Sequence, residues 1–280
     1  MLIAKTNNEL RAALIAVNPD DKSIGFVPTM GALHGGHIAL MKQSIANNFC
    51  TIVSVFVNPK QFNNQEDFNK YPQKVQEDAN LLAQNHCNVL FIPSVDEIYN
   101  ADYQNIALDI HDLDSVFEGP HRPGHFSGVV AVVYRLFQLV GPQNAYFGLK
   151  DYQQCMVIQK LKETYFENLN LHFCQTVREP SGLAMSSRNA RLSEKGKERA
   201  AHIYLAIRML ENGFINNLPM ADTLNTAKKY LIKKVDGIEY FDMANSQNLQ
   251  KVNEWQTPGS NVVVAALTIE KVRLIDNLIF

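Results

Sequence analysis

Net charge is nearly absent from this chain. Its 26 Lys and Arg stand against 28 Asp and Glu, a formal −2 over 280 residues. Domains that hold nucleic acid through its phosphates normally carry a clear basic excess, so no nucleic-acid partner is expected. Cysteine is scarce: Cys50, Cys87, Cys155 and Cys174 are the only four. None forms a C-x-x-C pair, which excludes zinc-ribbon and thioredoxin-like motifs. Free thiols in a reducing cytoplasm are the expectation. Long apolar runs are also missing. Val129 to Tyr134 is broken by Arg135, far short of the roughly 18 residues that a membrane span requires. The opening Met1-Leu2-Ile3-Ala4-Lys5-Thr6-Asn7-Asn8-Glu9 turns polar too soon for a signal peptide. No G-x-x-x-x-G-K-[ST], G-x-G-x-x-G or H-E-x-x-H pattern occurs, which disfavours P-loop, dinucleotide and zinc-protease chemistry.

What is present reads as an ordinary globular protein, with 46% hydrophobic and 19% charged residues. At about 150 residues per domain, the length suggests two domains. Strand-like and helix-like segments alternate through the first two thirds. Ser23 to Pro28, the β-branched run Thr51 to Val57, Val89 to Pro93, Ala145 to Phe147 and Leu171 to Val177 read as strands. His37 to Phe49, Tyr71 to Asn85, a segment capped by Ser127 and ending at Gly141-Pro142, and one opened by Asp151 read as helices. This alternation predicts a parallel sheet covered by helices, with ligands at the carboxyl ends of strands where the strand order reverses. After Val177 a polar stretch to Arg191 precedes helices near 193–212 and 221–234 and strands at 238–243, 262–269 and 272–279. The expected fold is therefore a Rossmann-like parallel sheet over 1–177, followed by a smaller α+β domain over 178–280.

Five loops carry chemistry. Pro28-Thr29-Met30-Gly31-Ala32-Leu33-His34-Gly35-Gly36-His37 follows a strand and opens a helix. Its glycines let backbone approach a ligand closely, and free amides at the helix start favour an anion. His34 and His37, one helical turn apart, offer donors to phosphate oxygens and to charge developing on a leaving pyrophosphate. Val57-Asn58-Pro59-Lys60-Gln61-Phe62 supplies neutral amides suited to a carboxylate or hydroxyl substrate. In His121-Arg122-Pro123-Gly124-His125-Phe126-Ser127-Gly128, Arg122 and His125 are candidates for an anion. Gly148-Leu149-Lys150-Asp151 places an ammonium at a helix entry, with Gln154 one turn further on. Gly182-Leu183-Ala184-Met185-Ser186-Ser187-Arg188-Asn189 gathers hydroxyls, amides and a guanidinium. No Ser/His/Asp or Cys/His arrangement stands out, so the chemistry looks like positioning and charge stabilisation. A nucleotidyltransferase acting on a phosphorylated acceptor, and a non-catalytic nucleotide-binding protein, are the alternatives. The first would want a cationic cluster where Asn58 and Gln61 stand.

Together these five segments, in this order from 28 to 189, resemble the pantoate–β-alanine ligase family. The resemblance implies a nucleotidyltransferase-type fold with a C-terminal lid and a two-step reaction. Pantoate carboxylate attacks the α-phosphorus of ATP to give pantoyl adenylate and pyrophosphate. The β-alanine amine then displaces AMP to give pantothenate, a coenzyme A precursor. It also implies Mg²⁺ with the triphosphate, metal ligands unassigned, and a cytoplasmic homodimer. Carried over, Met30, Gly31, Ala32, Leu33, His34, Gly35, Gly36 and His37 line the ATP site, with His37 the proton donor to pyrophosphate and His34 assisting. Gly148, Leu149, Lys150 and Asp151 contact ATP, with Lys150 on phosphate. Val177 meets the adenine through its backbone, and Met185, Ser186, Ser187 and Arg188 close over the triphosphate. Gln61 and Gln154 hold pantoate, with Gln61 also near β-alanine. Asn58 and Arg122 join the pantoate site, and Asp78 is expected to orient a histidine. The chain departs from the family at Gly35, commonly Glu, at Leu149, commonly polar, and at Ser181, commonly Asp. Those changes bear on affinity more than on the reaction itself.

Overall fold

A computed structural model describes residues 1–63, 68–69 and 71–280. The chain divides into two compact units. The first comprises 1–111, 121–148 and 154–175, and the second 112–120, 149–153 and 176–280.

The first unit is built on a six-stranded, all-parallel sheet in the order β1-β4-β3-β2-β5-β6. Its strands are β1 (Leu2–Ala4), β2 (Ile24–Thr29), β3 (Cys50–Val55), β4 (Val89–Phe91), β5 (Asn144–Gly148) and β6 (Asn170–Cys174). β2 pairs with β3 from Ile24↔Cys50 to Thr29↔Val55, and with β5 on its other side. The strand order thus reverses at β2, and the loop leaving its carboxyl end is the natural ligand position. Val27, Met41, Val53, Leu82, Leu90 and Tyr146 are fully buried in one apolar cluster. Burial on both faces explains why β3 reads as an unbroken apolar run.

Helix α1 (Asn7–Val17) and strand β1 went unread in the sequence, because a three-residue strand has no measurable period. The local signal for α1 was nevertheless present. Thr6 Oγ1 accepts the Glu9 N–H at 3.2 Å, while the Glu9 carboxylate accepts the Thr6 N–H at 3.2 Å. This is a capping box in the spacing T-x-x-E. Helix α2 (Gly35–Asn47) follows β2, and α3 (Val75–Gln84) precedes β4. Ser127 does not cap the next helix. α4 (His125–Val140) starts two residues earlier, behind Gly124, whose φ of 78° lies in the left-handed region where glycine is unstrained. Gly141, at φ 60°, ends it and donates its N–H to the Phe137 carbonyl, as the Gly-Pro signal implied. Asp151 closes a single 3₁₀ turn (Leu149–Asp151) rather than opening a helix, and α5 runs Tyr152–Tyr165.

The second unit carries a three-stranded antiparallel sheet of β7 (Gly237–Asn245), β8 (Asn261–Ile269) and β9 (Val272–Ile279), with β8 central. Helices α6 (Glu194–Ile215) and α7 (Met220–Ile232) pack on it through Ile203, Ile207, Leu210 and Leu231 against Phe241, Val263, Ala265 and Leu267. Ser193, the residue at which the sequence begins this helix, caps α6 by accepting the Gly196 N–H.

Candidate active site

The β2–α2 turn is held from below. Thr29 Oγ1 donates to the Ser54 carbonyl at 2.7 Å and accepts the Gly31 N–H at 3.2 Å. Asp78, on α3, is 2% exposed. Its carboxylate accepts the Ala32 N–H at 2.9 Å and the Leu33 N–H at 2.8 Å. The expectation that Asp78 orients a histidine thus gives way to a different task, since these bonds shape the backbone of the turn. Burial pushes the Asp78 carboxyl above its ordinary value, and the two amides oppose that shift. Gly31 takes φ 80°, where a Cβ would lie 2.9 Å from Val55 Cγ1 and 3.0 Å from Asp78 Oδ2.

His34 and His37 cap α2 reciprocally. His34 Nδ1 accepts the Gly36 N–H at 3.1 Å, and His37 Nδ1 accepts the His34 N–H at 3.3 Å. The rings lie 4.1 Å apart at 47°. An imidazole nitrogen that accepts carries no proton, so each neutral ring bears its hydrogen on Nε2. Both rings are therefore Nε2–H donors at a helix N-terminus, a place that favours negative charge.

Beside this turn, the 3₁₀ turn Pro59–Gln61 follows β3. Asn58 is fully buried, and both ends of its carboxamide are engaged. Its Nδ2 donates to the Gly128 carbonyl at 3.0 Å and to Gln61 Oε1 at 3.2 Å. Its Oδ1 accepts the Tyr99 hydroxyl at 2.8 Å and the Lys60 N–H at 3.2 Å. The Lys60 ammonium sits 3.9 Å from the Tyr99 ring centroid. Gln61, 6% exposed, donates from Nε2 to the Met30 sulfur at 2.8 Å. Thioether sulfur is a weak acceptor, so a substrate oxygen is the better partner for that amide. His125 was a candidate anion ligand. Instead it is buried, and its Nδ1–H donates to the Gln61 carbonyl at 2.8 Å, so it supports Gln61. Gly128, in the first turn of α4, admits the same turn closely: a Cβ there would lie 2.2 Å from the Lys60 carbonyl oxygen.

The first unit thus brings Met30–His37, Asn58 and Gln61 together. Arg122 lies half-buried just before α4, and Gln154 half-buried in the first turn of α5. Gly148 ends β5. Tyr99, His125 and Gly128 were missed as supports of Gln61. Their contacts span from 41 to 70 positions of sequence, and no local pattern announces them.

The remaining candidates belong to the second unit. Leu149, Lys150 and Asp151 form the 3₁₀ turn, with Lys150 Nζ 3.7 Å from Asp151 Oδ1. Val177 accepts the Met185 N–H at 3.0 Å through its carbonyl. An Arg178↔Ala184 bridge makes 177–185 a small hairpin, with Gly182 near its tip at φ 91°. Ser186 Oγ caps the following turn by accepting the Arg188 N–H at 3.3 Å. Ser187 and Arg188 begin that turn.

The four cysteines are free and buried. Burial raises the Cys87 thiol to about 12 and the Cys174 thiol to about 11. Such thiols are not nucleophiles at neutral pH. Among the described residues, no group of three or more His, Cys, Asp or Glu side chains could hold a metal ion.

The family model for pantoate–β-alanine ligase matches residues 2–279. The pantothenate synthetase of Cytophaga hutchinsonii is 43% identical over 282 residues, covering 100% of this chain and 99% of that protein. A crystal structure of pantothenate synthetase from Thermus thermophilus superposes with a TM-score of 0.92 at 36% identity, covering 99% of each chain. The Francisella tularensis pantoate–β-alanine ligase, complexed with beta-gamma ATP and beta-alanine, gives a TM-score of 0.80 at 38% identity, covering 100% of this chain and 97% of that one. Sequence and fold agree over the described length, and the chain belongs to the pantoate–β-alanine ligase family.

Proposed function

We propose that the paired imidazoles of the β2–α2 turn and the buried Gln61 carboxamide are the reaction centre of this ligase. The reaction is ATP-dependent condensation of pantoate with β-alanine, through pantoyl adenylate, to pantothenate, AMP and pyrophosphate. The observation that carries the assignment is the reciprocal imidazole cap. Both Nδ1 atoms are committed to backbone amides, so both Nε2–H groups are fixed as donors. His34 and His37 donate hydrogen bonds from Nε2–H to the phosphate oxygens as charge builds on the departing pyrophosphate, and in this neutral tautomer they keep their protons and act by stabilising charge. Proton donation by His37, which the resemblance implies, would require its Nδ1 to release the His34 amide and take up a proton first. Donors whose direction is already set need little reorganisation when the charge develops.

Gln61 exchanges its Met30 sulfur contact for a pantoate oxygen, and Gln154 and Arg122 complete the acid's surroundings. With both ends of its carboxamide bonded within the protein, Asn58 serves as a positioning residue for Gln61. The same Gln61 lies near the incoming β-alanine. Met30 to His37 and Gly148 contribute ATP contacts from the first unit. Leu149, Lys150, Asp151, Val177 and Met185 to Arg188 are assigned to ATP from the second. No enzyme nucleophile is required, because the mixed anhydride itself activates the acid and binding supplies the proximity. Mg²⁺ fits this chain as an ion that arrives with the nucleotide. Mg²⁺ is commonly held by substrate phosphates and at most one or two carboxylates, and a dedicated protein cage is not needed. When bound it neutralises phosphate charge. We further assign a cytoplasmic homodimer on the family resemblance. Among the described residues no helix is long and apolar enough to cross a membrane.

Incubation with ATP, Mg²⁺ and pantoate, with β-alanine withheld, tests the reading. Pyrophosphate release near one equivalent of enzyme, followed by AMP and pantothenate when β-alanine is added, is the expected result. AMP formation that does not depend on β-alanine would overturn it.

A further inference from the structure

Strand β9 lies at the edge of the small sheet and runs Val-Arg-Leu-Ile-Asp-Asn-Leu-Ile. Asp276 and Asn277 interrupt it with adjacent polar side chains, 5% and 7% exposed. Buried polar groups are retained where they have partners, and both of these do. The Asp276 carboxylate takes the Arg178 guanidinium in a two-pronged pair, Nη1 at 2.7 Å and Nη2 at 2.9 Å. Arg178 also donates to the Gly182 carbonyl at 3.1 Å and to the Asn277 carbonyl at 3.3 Å. Its guanidinium carbon lies 3.8 Å from the Tyr204 ring centroid. A planar fork with a flat partner on its face has one orientation, so the hairpin that begins at Val177 is fixed in direction.

Asn277 acts on a different segment. Its Nδ2 donates to the Leu149 carbonyl at 2.9 Å and to the Lys150 carbonyl at 2.8 Å. Two donors on one nitrogen thus hold two successive carbonyls of the 3₁₀ turn. The Tyr152 hydroxyl, donating to the Ser246 carbonyl, secures the next residues. The Asp276 carboxylate in turn accepts the Asn277 N–H at 2.8 Å, which couples the two side chains through one peptide.

We propose that Asp276 and Asn277 are positioning residues for the nucleotide, a buried clasp on β9 that sets the Leu149–Lys150 turn and the Val177–Met185 hairpin relative to each other. The proposal rests on the reading of Lys150 and Val177 as ATP contacts. Asn277 is the informative position. Truncating a member of the buried Asp276–Arg178 pair leaves an uncompensated charge and endangers folding. Aspartate at 277 is nearly the same size as asparagine but has no donor for the carbonyls.

The experiment compares Asn277→Ala, Asn277→Asp, Lys150→Ala and the Asn277→Ala/Lys150→Ala double variant with the parent enzyme. Leu274→Ala, a buried apolar residue of the same strand, is the packing control. Steady-state pyrophosphate release gives KM for ATP and for pantoate. Calorimetry gives Kd for a non-hydrolysable ATP analogue, and thermal melts report folding. Asn277→Ala and Asn277→Asp are expected to raise KM and Kd for the nucleotide about tenfold, as loss of hydrogen bonds that orient a ligand contact should. KM for pantoate stays within about twofold, and the double variant falls within about twofold of Lys150→Ala, because coupled residues are not additive. Leu274→Ala lowers the melting temperature without separating the two KM values. If Lys150→Ala weakens ATP and the Asn277 variants do not, the clasp is wrong and the Lys150 assignment stands. If Lys150→Ala leaves ATP binding intact, the assignment fails and takes the clasp with it. Equal rises in both KM values would reduce Asn277 to ordinary packing. Asn277→Ser keeps one donor, replaces the alanine variant if that does not fold, and is expected to fall between parent and alanine.

Discussion

Replacing Gly128 by alanine should damage pantoate recognition from a position that touches no substrate. The added Cβ would lie 2.2 Å from the Lys60 carbonyl oxygen, 2.5 Å from its carbon and 2.7 Å from Gln61 Cα. All three neighbours are backbone atoms, so no side-chain rotation relieves the clash. Bringing the nearest contact from 2.2 Å to the 3.0 Å that real Cβ atoms respect requires a shift of 0.8 Å (3.0 − 2.2) in the Pro59–Gln61 turn. The same turn is tied to Gly128 through Asn58 at 3.0 Å, so the shift disturbs Gln61 along with its support. Overpacking of this kind costs about 1–3 kcal/mol. A misplacement near 1 Å can cost about 10²-fold in rate. The expected outcome is a fall of about 10- to 100-fold in kcat/KM for pantoate, with KM for ATP changed much less. Pyrophosphate release titrated with each substrate in turn measures this, with circular dichroism to confirm the fold. Gly237→Ala, where the nearest neighbour is 3.9 Å away, is the neutral control. An unchanged kcat/KM for pantoate in folded Gly128→Ala protein would refute the reasoning that links α4 to Gln61.

Other substitutions separate chemistry from support. His37→Ala should lower kcat by about 10²- to 10⁴-fold in folded enzyme, as loss of an acid or a charge-stabilising donor does; a rate near that of the parent would remove His37 from the reaction. Gln61→Ala should weaken pantoate far more than ATP in separate calorimetric titrations, and equal weakening would reassign it. Glu270 accepts the N–H and hydroxyl of Ser193 at the start of α6, and these bonds hold its carboxyl below the ordinary 4.5. Its stabilising effect is therefore complete above about pH 4.5 and is lost as pH falls through the folded-state value. Glu270→Gln should accordingly flatten the acid limb of a melting-temperature–pH curve, and an unaltered limb would count against this account.

Much of the parallel fold was legible because its signals are local. β3 is a β-branched run buried on both faces, Gly141 sits at the end of α4, and Ser193 marks the start of α6. His34 and His37 were legible as a pair through one turn of helical spacing, and the glycines of the β2–α2 turn through the backbone freedom they allow. Ser127 misled as a cap because Gly124, three residues before it and directly ahead of the helix, sets the chain direction first.

The tasks of Asp78, Asn58, His125 and Asn277 were not legible, because each is defined by a partner distant along the chain. Asp78 meets Ala32 and Leu33 from 46 and 45 positions away, and Asn277 meets Leu149 from 128. A carboxylate or carboxamide alone says only that it wants partners. Whether it meets substrate or backbone depends on which strands and helices pack beside it. For the same reason the turn after β5 counts with the second unit rather than with the strand it leaves. Residue types and short spacings write the chemistry available to a chain, whereas long-range packing chooses which groups keep their hydrogen bonds for the ligand and which spend them on holding the others still.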